Sequence, residues 1–248
     1  MKNIILVKCI GDQSKYGIGI PIVKDYCEKY GLGFGLINDY KINYKSKNTY
    51  YRINCIGFET LQVFDYLEEY DKALVIGGDV LITPNCPNIF NVYNDPDTLY
   101  GFHENGTCEH CDRDSNINNM LVDYGAPFVK WPLGPNGKRM YFNADILMFS
   151  QKHKKYFESA NELNYKLQSA LMNEQDVFNF IIGISNMKSE SIDYSWNRMD
   201  LGKPDPENLR LNANFIHYAG MGYDYENIGR FEIMKKDIRT LYGDKYLQ

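Results

Sequence analysis

Residues 4 to 37 constrain the fold most. Ile4 to Val7 is an apolar run of strand length. Pro21 opens a helix at its first turn, where its fixed φ suits the helix and its missing N–H costs nothing. Val23, Tyr26, Cys27 and Tyr30 then recur at i, i+3, i+4 and i+7, which is one helical face. Gly31 is a natural stop, and Phe34 to Ile37 resumes the β pattern. Strand, helix, strand is the unit of a parallel sheet.

Later segments extend the α/β pattern. Phe58, Leu61, Phe64 and Leu67 mark an amphipathic helix, and Ala73 to Ile76 a central strand. Thr98 to Phe102 and Tyr141 to Phe149 read as strands, with helices over Lys152–Leu171 and Asn173–Ile184. Ser191–Tyr194 and Asn214–Tyr218 read as late strands. Phe231, Met234, Ile238 and Leu241 mark a C-terminal helix. Residues 103–139 are rich in Asn, Asp and Gly and predict an irregular insertion or hairpin. No internal repeat and no linker divides the chain, so one domain over residues 1–248 is expected.

Composition narrows the class. With 44% apolar residues, the chain has ample material for a large core. A formal charge of −5 argues against a general nucleic-acid binder, which needs a net basic face. No apolar run reaches the length of a membrane span. The run Ile4–Val7 before Lys8 is too short for a signal-peptide core. A cytoplasmic location is expected, with the six cysteines mostly thiols.

The stretch LVIGGDVLI, Leu74 to Ile82, carries the chemistry. A buried strand runs into Gly77-Gly78-Asp79 and then resumes. A carboxylate in apolar surroundings is costly unless paired or bound to a cation, and the glycines suggest a close approach to the backbone. Either a ligand and its cation sit there, or Asp79 caps a glycine-rich turn. Four further pieces line up with it: Asp12 and Tyr16 after the first strand, Arg52 in YYRIN, Asn143 in YFNADILMF, and NEQDVFNFI followed by YSWNRM and IHYAGMGY.

That order resembles the family 8-like glycosyltransferases of the GT-A fold. Members carry Asp-x-Asp where this chain has Gly77-Gly78-Asp79, and Asn-(Ser/Ala)-Gly where it has Asn143-Ala144-Asp145. They carry Asp-Gln-Asp at Glu174-Gln175-Asp176 and a His-x-x-Gly segment at His217 and Gly220. The resemblance implies a GT-A-like (Rossmann-like) α/β domain, its central sheet mixed but mostly parallel and flanked by helices. It implies transfer of a sugar from a nucleotide diphosphate, a UDP-sugar, to a glycan or other hydroxyl acceptor, with retention of configuration.

The departing diphosphate is doubly charged, and a divalent cation offsets that charge. Hard oxygen ligands suit the ion, and manganese tolerates imidazole. Asp79 and His217 are the candidate ligands for Mn²⁺ or Mg²⁺. Gly77 stands where the family has its first carboxylate, which weakens the ion's hold or makes it dispensable. Asp145, where the family has glycine, could replace that carboxylate in space. Gln175 and Asp176 are the candidate catalytic residues, with Glu174 beside them. A capping box of Asn173 with Asp176 explains the same segment structurally.

The donor site would further include Lys8, Asp12, Tyr16, Arg52, Gly77, Gly78, Asn143, Asp145, Gly220 and Gly222. The family's diphosphate lysine is absent, leaving Arg230 or Lys138 to serve. Cys108, His110, Cys111 and His103 could bind zinc, though Cys108 and Cys111 read equally as ordinary thiols. Trp131 is a packing residue or a sugar platform. The alternatives are an inactive descendant that binds a nucleotide sugar or glycan, favoured by Gly77, and a nucleotidyltransferase, which IGDQSKYGIG matches poorly.

Overall fold

The structure, a computed structural model, describes residues 1–12, 17–42, 44, 56–107, 112–167, 169, 174–199, 208–219 and 229–247. The strands are β1 Asn3–Lys8, β2 Gly33–Ile37, β3 Lys72–Gly77, β4 Val80–Ile82, β5 Leu99–His103, β6 Phe142–Ser150, β7 Ser189–Ser191 and β8 Phe215–His217. The longer helices are α1 Ile20–Tyr30, α2 Asp114–Tyr124, α3 Glu174–Ile184 and α4 Arg230–Tyr242. Six strands form one mixed sheet in the order β2-β1-β3-β6-β5-β7, and β4 pairs with β8 in a separate ladder. No helix of the described residues is long and apolar enough to cross a membrane.

By internal contacts the chain divides into two compact units. The first comprises Asp39–Val75 and Asp95–Ser191, with Met1. In it β5 runs antiparallel to β6 and parallel to β7. Its core is a chain of edge-on aromatic contacts. Phe58 meets Phe178 at 5.8 Å, Phe178 meets Phe157 at 5.5 Å, and Phe157 meets Phe149 at 5.6 Å. Such contacts add to simple burial. Gly57 seats the start of α3: a Cβ there would lie 1.8 Å from the Glu174 carboxyl carbon.

The second unit comprises Lys2–Asn38, Ile76–Asn94 and Ile192–Gln248. β1 and β2 pair in parallel, with Ile4 opposite Gly33 and Lys8 opposite Ile37, joined by α1 as the sequence implies. Gly31 ends α1 at φ 63, and Leu32 N–H returns to Cys27 O at 2.9 Å. That left-handed cap is cheap only for glycine. Phe215 of β8 packs edge-on against Tyr26 of α1 and against Trp196.

The break at Gly77 is a change of sheet. β3 ends at Gly77, and Val80–Ile82 leaves to pair antiparallel with β8, setting Val80 opposite His217. Gly78 N–H donates to the Lys8 carbonyl at 3.0 Å, which ties the turn to the end of β1.

Four expectations are corrected. Residues 103–139 are not wholly irregular, since α2 occupies Asp114–Tyr124. Its apolar Ile117, Met120 and Leu121 are buried on one face, a pattern hidden among Asn and Asp. The segment from Phe58 is a buried 3-10 helix, Ile56–Gln62, followed by one α turn, Val63–Tyr66. It is not amphipathic, because Glu59 and Gln62 are themselves buried and bonded to each other and to backbone. The stretch from Lys152 is broken into pieces, with α turns at Lys154–Phe157 and Ala160–Lys166. Phe157, Ala160, Leu163 and Leu167 stay buried across the break, so the periodicity survives it. The late strand is Ser189–Ser191. Asp193 then caps a 3-10 turn, its side chain accepting from Ser195 N–H.

Candidate functional site

In the second unit, the β4–β8 ladder brings Asp79 and His217 together. His217 Nε2 lies 3.8 Å from Asp79 Oδ1. The buried ring is fixed from behind, with Nδ1 2.9 Å from Asn197 Oδ1. A carbonyl oxygen accepts only, so Nδ1 is the protonated, donating nitrogen there, and Nε2 faces Asp79. At 3.8 Å the contact is too long for a hydrogen bond. Metal-ligating histidines are commonly held in this way, through a hydrogen bond from the other ring nitrogen.

Arg230, the first residue of α4, holds the other Asp79 oxygen. Its Nη1 donates to Asp79 Oδ2 and to the Tyr218 carbonyl, each at 3.0 Å. Tyr218 N–H donates in turn to the Asp79 carbonyl at 2.9 Å. Beneath this shelf lies a buried ion pair: Asp237 accepts from Arg210 Nε and Nη2, both at 2.8 Å, and from the Tyr218 hydroxyl at 2.6 Å. Cys9, buried one residue beyond β1, senses the same carboxylate. Burial first, and then the charges of Asp79 and Asp12, push its thiol pKa up.

Within the second unit, Asp79 and His217 are members of a possible metal-binding group, and a carboxylate with an imidazole fits manganese chemistry.

In the first unit, β5, β6 and α3 assemble a buried polar network. Asn179 binds both backbone groups of Phe142, fixing β6 on α3. Gln175 then faces Ala144, whose N–H donates to Gln175 Oε1 at 3.1 Å. Gln175 Nε2 donates to Glu104 Oε1 at 3.0 Å. Asn143 Nδ2 reaches Glu104 Oε2 at 3.3 Å, and Asn143 Oδ1 accepts from Asp145 N–H at 3.2 Å. Arg113 Nε closes the network on Glu104 at 2.8 Å. Burial alone would lower the Arg113 pKa. The charge and hydrogen bond of Glu104 outweigh that and raise it. Asp176 is fully buried and accepts from the Tyr141 hydroxyl at 2.6 Å. Burial, and then the Asp176 charge, hold the Tyr141 pKa well above its ordinary value.

Lys8 is buried at the end of β1, Asp12 is exposed, and Lys138 is exposed. Tyr16, Arg52, Cys108, His110, Cys111, Asn173, Gly220 and Gly222 lie outside the described residues. His103 has both ring nitrogens engaged, Nδ1 with Tyr141 N–H at 3.1 Å and Nε2 with Asn136 Oδ1 at 2.8 Å. Trp131 is a packing residue rather than a sugar platform. It is 5% exposed, donates to Met140 O at 2.7 Å, and its ring lies against Gly183. Glu104, Arg113, Tyr141, Asn179, Asn197 and Cys9 were not singled out from the sequence. The available signal was position alone: Glu104 follows β5 directly, and Cys9 follows β1.

No protein-family model matches the sequence, and neither does any curated protein. Solved structures do match. A glycosyltransferase involved in glycosylation of the major capsid of PBCV-1 aligns with a TM-score of 0.60 at 17% identity, covering 95% of this chain and 100% of that one. The galactosyltransferase LgtC, solved with donor and acceptor sugar analogues, aligns with a TM-score of 0.60 at 14% identity, covering 97% and 96%. Mouse xyloside xylosyltransferase 1 aligns with a TM-score of 0.51 at 12% identity, covering 87% and 97%. The chain has the GT-A fold of these glycosyltransferases.

Proposed function

We propose that this protein is a glycosyltransferase that moves a sugar from a nucleotide diphosphate donor, a UDP-sugar, to a hydroxyl of a glycan acceptor with retention of configuration. The observation that carries the proposal is the His217 ring, fixed by Asn197 so that Nε2 faces Asp79. An imidazole and a carboxylate facing each other at 3.8 Å have the spacing and chemistry of two ligands of one cation.

Asp79 and His217, with Asp145 as the carboxylate that replaces the family's first acid, would hold Mn²⁺ or Mg²⁺. Bound there, the ion offsets the charge left on a departing diphosphate, an effect of several kcal/mol. Arg230 adds a guanidinium on the same carboxylate, suited to grip a phosphate oxygen. Gly77 and Gly78, with no side chains, would let the donor approach the backbone. Lys8, Asp12 and Tyr16 would line the base and ribose. Arg52, Gly220 and Gly222 would complete the diphosphate contacts. Gln175 and Asn143 would face the donor sugar, Gln175 stabilising oxocarbenium character, with Glu174 and Asp176 orienting sugar hydroxyls and their neighbours. The buried free thiols Cys9, Cys27 and Cys86 suit a reducing compartment such as the cytoplasm.

A second possibility, a descendant that binds the donor without turning it over, is favoured by the engagement of Gln175 at both ends of its amide.

Release of UDP and free sugar from a panel of UDP-sugars, with manganese and with chelator, tests the proposal. We expect manganese-dependent turnover of one donor, lost in Asp79→Ala and His217→Ala. Binding of a donor that stays intact under every condition would favour the non-catalytic alternative. Binding of none would reject both.

A further inference from the structure

One carboxylate in the first unit governs both amides assigned above to the donor sugar. Glu104 is 4% exposed and is met by three donors: Gln175 Nε2 at 3.0 Å, Arg113 Nε at 2.8 Å and Asn143 Nδ2 at 3.3 Å. An ionised carboxylate accepts and never donates. Each amide must therefore turn its nitrogen toward Glu104 and its oxygen away. The oxygens land on backbone N–H groups, Gln175 Oε1 on Ala144 and Asn143 Oδ1 on Asp145. A buried carboxylate is costly unless a cation pairs with it, and Arg113 provides that pairing.

We propose that Glu104 is a positioning residue. It fixes the orientation of the Gln175 and Asn143 amides beside the donor sugar, and Arg113 holds Glu104 in place through the 2.8 Å ion pair. The inference rests on the reading that Gln175 and Asn143 face the donor sugar. Neither Glu104 nor Arg113 needs to touch the substrate. What they supply is orientation, and a misplacement of about 1 Å can cost about 100-fold in rate.

Glu104→Gln is the sharp variant. A glutamine offers one oxygen and one NH2 to three donors, so at least one donor must face another or turn away. Glu104→Asp keeps the charge on a shorter arm and serves where the amide variant fails to fold. Arg113→Lys keeps a cation and Arg113→Met removes it. Two readouts are needed: the side-chain amide NMR signals of Gln175 and Asn143 in the full chain, and kcat and KM for the UDP-sugar that the wild type turns over.

We expect the Gln175 amide signals to shift and exchange faster in Glu104→Gln. We expect kcat to fall by about 100-fold with donor KM changed less than about threefold. Glu104→Asp and Arg113→Lys should fall between this variant and the wild type. Unmoved amide signals would overturn the proposal, and so would moved signals with an unchanged kcat. A wild type that turns over no donor would instead reject the transferase reading, and the amide signals alone would then decide whether Glu104 orients the two side chains.

Discussion

Glu104, Gln175 and Asn143 are at most 7% exposed, and each amide is tied at both ends. The Asp79 and Arg230 side chains, by contrast, are 14% and 30% exposed, and the contact from His217 to Asp79 is 3.8 Å rather than a hydrogen bond. The first cluster is closed and neutralised by its own members. The second is fixed from behind, by Asn197 and by the Tyr218 shelf, and is the more exposed of the two. Closed networks set geometry, whereas an imidazole and a carboxylate facing each other at ligand spacing suit a cation. On the proposed reading, the same polar chemistry serves precision in one place and recruitment in the other.

The largest effect should come from beneath the recruiting cluster. Arg210→Met leaves the buried Asp237 without its guanidinium and should cost about 3–5 kcal/mol in urea unfolding. A loss under about 1 kcal/mol would mean that the shelf under Asp79 is not rigid. Next is acid sensitivity elsewhere in the first unit. Burial lowers the His153 pKa to about 4, against an ordinary value of 6.5, and outweighs the Asp97 hydrogen bond that would raise it. The unfolded chain takes up a proton that the native ring refuses. Stability from this residue is therefore complete above about pH 6.5 and is lost as pH falls toward 4, by up to about 3 kcal/mol. Urea midpoints at pH 7 and pH 4.5 measure it, and His153→Gln should flatten the difference.

Tyr141→Phe opens the closed cluster by one bond. Asp176 loses a hydrogen-bond donor to its charge, for about 2 kcal/mol of stability, and no change would show the network to be slack. The smallest effect is on the recruiting side. Arg230→Gln removes a cation from Asp79, so Mn²⁺ alone should bind about threefold more tightly, while UDP, deprived of a charged donor, should bind about tenfold more weakly. Calorimetry of each ligand separately reads both signs.

How much of this was legible in the sequence follows from contact range. β1, α1, β2 and β3 are announced by local periodicity, and Asp79 by the break in an apolar run. His217 was legible through the segment that the resemblance supplies. α2 was missed because Asn and Asp mask the spacing of Ile117, Met120 and Leu121. Glu104 was missed for a different reason: its bond to Gln175 spans 71 residues. Likewise Arg230 meets Asp79 across 151 residues, and Asn197 meets His217 across 20. No window of sequence contains both partners, so the residues that orient a site are the ones that a linear reading overlooks. Trp131 shows the converse, since its type suggested a sugar platform and Gly183 had already claimed its face.

We would first measure Mn²⁺ binding to the full chain by titration calorimetry, with and without UDP, in the wild type, Asn197→Ala and His217→Ala. We expect wild-type binding that UDP strengthens, near-complete loss in His217→Ala, and a loss of about 10- to 100-fold in Asn197→Ala, where the ring keeps its ligand atom but loses its orientation. Equal Mn²⁺ affinity in all three proteins would contradict the assignment of His217 and Asp79 as a cation site.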